Sequence, residues 1–383
     1  MALSSRHYSY RKLIRKIQKD GIFSTFSSSV ETLYRREVFP SLFEILHNTN
    51  QISFLTETDL EKISRRKVVF GDKDIKSECK IYDVGSGYIL PTTGIVLTED
   101  FEFISQSIGS DHDLKTLNIE ALAREDITGF LLTPRLVLPT KHIPTPTTIP
   151  RFACTLSPRY PNYFHWLAGT VPKLRYVERF EEETGEEVTL VLREGLPRWA
   201  KDTLTLLDYS PEKIIFTQDP VCSPDSLIIP PHPSINRLND YRWIRRNILD
   251  GISEPPVSSS GERIYISRSR GIGRQVVNED EVMETLSEYG FEKYHLEDRS
   301  LSQNAQLFAA ADIVVSPHGA GLTDVIFSED CTVVEFFGSQ KTETYQILCD
   351  TLNLPYIRVD CQSDSTDMIV DTEKLAGIIQ RID

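Results

Sequence analysis

Asp312-Ile313-Val314-Val315-Ser316-Pro317-His318-Gly319-Ala320-Gly321-Leu322 passes from an apolar run through a Pro-His turn into a Gly-Ala-Gly loop. Unbroken apolar residues predict a strand covered on both faces, as in parallel sheets. The small residues after it predict a tight turn that opens a helix. Parallel sheets bind ligands at the carboxyl ends of their strands. Glycines there let backbone N–H groups approach an anion, and a helix N-terminus favours its charge. His318 adds a donor for a phosphate oxygen. The same residues also suit a strand–helix turn whose histidine bonds internally.

The pattern recurs on both sides of this stretch. Arg263 to Ile266, Phe291 to Leu296, Thr332 to Phe337 and Tyr356 to Val359 read as strands. Asn278, with Glu281 three residues on, predicts a capping box. Val282, Leu286 and Tyr289 form one face of the helix that follows, and Gly290 stops it. Leu301 to Ala311 and Thr344 to Leu352 read as helices. Strands alternating with helices make βαβ units on a parallel sheet.

Upstream, Val188 to Leu192, Lys213 to Thr217 and Ser226 to Ile229 read as strands. Tyr163 to Phe180 reads as a helix that Pro172 restarts, and Pro197 to Leu207 as another. Short β runs stand at Lys67 to Phe70, Gly87 to Leu90 and Gly129 to Leu132. Pro139 to Pro150 reads as a loop or extended connector, and Pro230 to Pro233 as a hinge. The expected division is a basic helical segment at 1–60, an α/β domain at 61–232 and a second at 233–383.

A chain of 383 residues suits two domains, and a net charge of −14 argues against general nucleic-acid binding. The charge is uneven, because residues 1–40 carry eight basic and three acidic residues. Basic residues alternate with Tyr8, Tyr10, Leu13, Ile14 and Ile17 over residues 6–19, a pattern for peripheral contact with anionic lipid or for a solvated terminal helix. No transmembrane run and no secretory leader stand out, so the expected location is cytoplasmic, including the inner face of the membrane. The six cysteines are scattered without CxxC and read as core residues.

Three further clusters carry chemistry. Ser267 to Arg274 packs Arg268, Arg270 and Arg274 with two glycines between a strand and a helix, which suits an anion or a solvated basic loop. Asn162-Tyr163-Phe164-His165-Trp166 sets a histidine at a helix start, where it can act as a general base or serve structure. Glu335 near the end of its strand is placed to accept from ribose hydroxyls or to face water. The triplets Asp72-Lys73-Asp74 and Asp111-His112-Asp113 are weak metal patterns. No GxxxxGK[ST], GxGxxG or GxSxG signature supports a P-loop, dinucleotide or hydrolase reading.

Taken together, these residues resemble the family 61 glycosyltransferases, over about residues 150–360. The resemblance rests on Tyr265-Ile266-Ser267-Arg268, Arg274 before Asn278-Glu279, Pro317 to Thr323, Glu335, and Asn162 with His165-Trp166. Asp324 departs from the asparagine the family often has there. The resemblance implies a prokaryotic member with a GT-B α/β fold, two Rossmann-like domains facing a cleft, behind an N-terminal helical/β extension. It implies inverting, metal-independent transfer from a nucleotide-sugar to a glycan or lipid-linked glycan hydroxyl, with no cofactor. Arg268, Arg274, His318, Gly319, Ala320, Gly321, Leu322 and Glu335 would bind the donor. His165 would be catalytic, with Asn162 and Trp166 on the acceptor side. The alternative is a non-catalytic nucleotide-sugar-binding scaffold subunit of a glycan-assembly complex.

Overall fold

The computed structural model describes residues 54–71, 78–100, 102–107, 145–157, 162–253, 262–339 and 342–382. The basic segment 6–19, the triplets at 72–74 and 111–113 and the run 129–132 lie outside the described residues. What is described is an α/β protein with two main sheets.

The first sheet has ten strands. They are β1 (Phe54–Leu55), β2 (Arg66–Phe70), β3 (Cys79–Asp83), β4 (Gly87–Leu90), β5 (Ile95–Thr98), β6 (Phe103–Ile104), β7 (Thr147–Thr155), β8 (Val188–Arg193), β9 (Ile214–Thr217) and β10 (Cys222–Ile229). Its parallel part runs β10-β7-β8-β9, and antiparallel strands flank it. Helices α1 (Glu57–Ile63), α2 (Tyr163–Leu167), α3 (Pro172–Thr184) and α4 (Arg198–Leu206) belong to this half. Pro172 opens α3, where its missing N–H costs nothing.

β7 corrects the expected connector over Pro139 to Pro150. Thr147 to Pro150 begin a nine-residue strand inside the sheet. Proline usually argues against an inner strand. Here Pro150 falls where the β7–β10 register shifts, between Ile149 facing Pro224 and Phe152 facing Ser226. The extra residue of that bulge leaves a place for a group with no N–H.

The second sheet is wholly parallel. It contains β11 (Arg263–Ile266), β12 (Glu292–Tyr294), β13 (Ile313–Pro317), β14 (Thr332–Phe337) and β15 (Tyr356–Asp360), in the order β12-β11-β13-β14-β15. The accompanying helices are α5 (Leu238–Asp250), α6 (Glu279–Ser287), α7 (Leu301–Ala309) and α8 (Thr344–Leu352). A small hairpin, β16 (Gln362–Asp364) with β17 (Asp367–Ile369), and α9 (Thr372–Ile382) complete the chain. Along β11, β13 and β14 the apolar residues alternate between two cores. Ile264, Val314 and Val333 enter one cluster, and Tyr265, Val315 and Val334 the other. That is the period of two expected when both faces are covered.

Chain order counted within this sheet is 2-1-3-4-5. Connections from β11 and β13 therefore leave toward opposite edges, and a crevice opens between their carboxyl ends. The expected capping box at Asn278 does not form. Its side-chain amide instead pairs with both backbone groups of Val370 at 2.9 Å, tying α6 to the end of β17. After the prolines at 230–233, α5 packs on α3 in the first half and on α7 in the second. One apolar cluster runs from Val68 through Trp166 and Ile244 to Val314 and Leu348, so the two sheets share a core.

Candidate functional site

Two loops meet at that crevice. The first, Ser267 to Arg274, follows β11. Buried Ser267 donates to Glu279 Oε1 at 2.7 Å, and the Ser269 N–H donates back to the Ser267 hydroxyl at 3.2 Å. Glu279 also accepts from Tyr265 and Lys293. Burial pushes the Glu279 carboxyl up, but Lys293, Ser267 and Tyr265 together hold it below the usual range. The β16–β17 hairpin backs the loop: the Arg274 N–H donates to the Thr366 carbonyl at 3.0 Å and that of Gln275 to Asp367 at 3.0 Å. Gly273 and Arg274 both have φ in the left-handed region, at 69° and 59°. A Cβ at Gly273 would also meet Thr366 Oγ1 at 3.1 Å.

The second loop follows β13 and leads into a 3₁₀ helix over Ala320–Phe327. Gly319 has no side chain because the Arg268 guanidinium fills the space. A Cβ there would lie 2.0 Å from Arg268 Nη1. Among the described residues Arg268 has no carboxylate partner: its Nε is buried without a hydrogen bond, and Nη2 reaches only the Gly273 carbonyl at 3.5 Å. Burial, and then the like charge of Arg274, push its guanidinium below the usual arginine range. A desolvated, unpaired cation is costly unless an anion joins it.

His318 lies beneath this loop, 8% exposed, with its ring against Phe337 and Tyr345. Its Nδ1 is paired with Glu335, whose other oxygen accepts from Tyr356 at 2.6 Å. Glu335 is fully buried, so the expectation that it meets ribose hydroxyls is corrected. It shares a strand face with Val333, which points into the core, so its carboxylate positions the histidine instead.

A cavity of about 810 Å³ opens over the two loops. Arg268, Gly319 and Gly321 line it from the second half, with Tyr163 and Trp199 from the first. Its size is that of a small-ligand site. Residues 163–334 match the glycosyltransferase 61 family. No curated protein matches the chain.

The family 61 segment begins at Tyr163 on α2 and ends on β14, so it contains both loops and the wall opposite them. The match supports a glycosyltransferase, and with it a sugar donor and a glycan acceptor. Within the segment the structure brings Arg268, Gly319 and Gly321 to the cavity wall, while Arg274 stands near enough to Arg268 to act on its charge, and His318 and Ala320 lie outside the lining. Leu322 is fully buried and belongs to the packing beneath. Asn162 caps α2 by accepting the His165 N–H at 3.0 Å. Trp166 has no exposed surface, and its indole N–H donates to Thr203 at 3.1 Å, so an acceptor contact through this ring is corrected to a core role. His165 is half-buried with its ring against Phe164, outside the cavity lining.

Sequence reading missed the Tyr163–Asp324 pair, in which the phenol donates to the carboxylate across the two halves. It also missed α4 as a wall of the cavity. The apolar setting of Asp324, between Leu322 and Val325, is the signal that would have marked it as buried. A methyl group at Gly319 tests the packing of the two loops. Gly319→Ala is expected to displace the Arg268 guanidinium, the far end of a flexible side chain, rather than the backbone. Nucleotide affinity should fall while the urea midpoint stays near wild type. Calorimetric titration alongside urea unfolding reads both.

Proposed function

We propose that this chain is an inverting, metal-independent glycosyltransferase with two Rossmann-like halves in a GT-B arrangement. It would move a sugar from a nucleotide-sugar to a hydroxyl of a glycan or lipid-linked glycan. The observation that carries this is Arg268, a half-buried cation with no carboxylate partner among the described residues, packed on Gly319 where β11 and β13 end.

In direct displacement, negative charge grows on the departing diphosphate. Fixed donors that are already desolvated stabilise that charge most effectively. Arg268 and Arg274 supply the cations, and the backbone N–H groups after Gly319 supply neutral donors. His318, held by Glu335, keeps the loop in place. The hairpin behind Arg274 restricts the first loop, so less ordering is required when the donor binds.

The test is thermal stabilisation by a panel of nucleoside diphosphates and their sugars, with and without EDTA. A ligand of the folded state at about 100 times its Kd adds about 2.7 kcal/mol, a readable melting shift. One diphosphate series should raise the melting temperature, and EDTA should leave the shift unchanged. No shift with any nucleotide would overturn the donor reading. A shift abolished by EDTA would overturn metal independence alone.

A further inference from the structure

We propose that the Asp324 carboxylate is the base that takes the proton from the attacking hydroxyl, with Tyr163 as its positioning residue. This rests on the donor reading above. Both residues line the cavity that holds Arg268 and Gly319. Tyr163 stands on α2 of the first half, and Asp324 on the 3₁₀ helix of the second. The Tyr163 hydroxyl donates to Asp324 Oδ1, which fixes the carboxylate plane. Oδ2 makes no hydrogen bond to a described residue, so it is left for an incoming O–H. His165, the base expected from sequence, is not part of this lining.

Of the other charged groups around the cavity, Arg299 has its Nε buried without a hydrogen bond among the described residues and reaches the Gln303 carbonyl through Nη2 at 3.3 Å, while others are paired. On α4, Arg198 and Asp202 lie 3.6 Å apart. Arg270 pairs with Asp298. Arg245 on α5 donates its Nε to the Ile326 carbonyl. Tyr345 on α8 faces His318, while Glu297 and Arg299 line the wall beyond. Burial, unopposed by a paired cation, pushes the Asp324 carboxyl up to about 7, and the Tyr163 hydrogen bond works in the opposite sense. A base whose pKa lies near working pH is well matched to proton abstraction.

The step balances as follows. The acceptor O–H breaks and its proton passes to Oδ2. The acceptor oxygen bonds to the anomeric carbon. The bond from that carbon to the diphosphate breaks, and its electron pair leaves with the diphosphate beside Arg268.

The experiment follows hydrolysis of the nucleotide-sugar that stabilises the wild type, with water as nucleophile, against pH. The wild-type rate should rise with pH through about 7, as the carboxylate forms. Tyr163→Phe removes the bond that favours the charged form, so the limb should move to higher pH. Asp324→Asn keeps the shape and should lose about 10²–10⁴-fold, together with the limb. Both variants should keep the melting shift with the nucleoside diphosphate. An unmoved limb in Tyr163→Phe, or near-normal turnover in Asp324→Asn, overturns the assignment while donor binding stands. So does a limb that disappears in His165→Ala and persists in Asp324→Asn. A wild type that no nucleotide stabilises overturns the donor reading and this assignment with it.

Discussion

Arg268→Ala is expected to lower turnover by about two to three orders of magnitude, equivalent to about 2.7–4 kcal/mol of transition-state stabilisation. The size follows from its environment. Its guanidinium is half-buried, its Nε is without a hydrogen bond and no described carboxylate pairs with it, so no ion pair among the described residues must be broken before it meets a phosphate. A solvated arginine would be worth far less. The folded state should change little, because the half-buried wild-type side chain makes only one long hydrogen bond among the described residues. Steady-state kinetics with the stabilising donor, beside a urea curve, check both halves. Turnover within a few-fold of wild type would remove Arg268 from the mechanism.

The second large effect is on stability. Trp166→Ala should cost about 3–5 kcal/mol, the usual range for truncating a buried aromatic. The ring is fully buried, packs 6.2 Å from the Trp199 ring and donates to Thr203. Those neighbours belong to α4, which walls the cavity, so the loss should spread to donor binding. The urea midpoint should fall with little change in slope. Trp166→Phe should retain much of the packing. A midpoint unmoved in Trp166→Ala would mean that the ring is not part of the core.

The second sheet was readable because its strands are long apolar runs between helices with clear stops. Strands such as β13 and β14 carry their burial in their composition. β7 was hidden by Pro150, since a bulge is a property of two paired strands and not of one segment. The β16–β17 hairpin is polar and mostly exposed, so nothing in its residues announced that it would brace the Arg274 loop. In the site, the two loops were legible from glycine, arginine and histidine at strand ends. Glu335 was misjudged because its position near a strand end suggested solvent, while its face and the phenylalanines after it lead inward. Asp324 owes its raised carboxyl to burial, and its partner Tyr163 stands 161 residues away, a meeting that no local pattern encodes.

The single apolar cluster through both sheets bears on modularity. Two large sheets in one chain invite exchange of whole halves between relatives. Here a cut after the prolines at 230–233 would bare the α3 face that α5 covers and separate Tyr163 from Asp324. Each piece would keep a smaller apolar cluster of its own, but the cluster that spans both sheets would be cut open. A graft that respects this chain would keep α5 with the residues it faces, and would replace the loops after β11 and β13 alone.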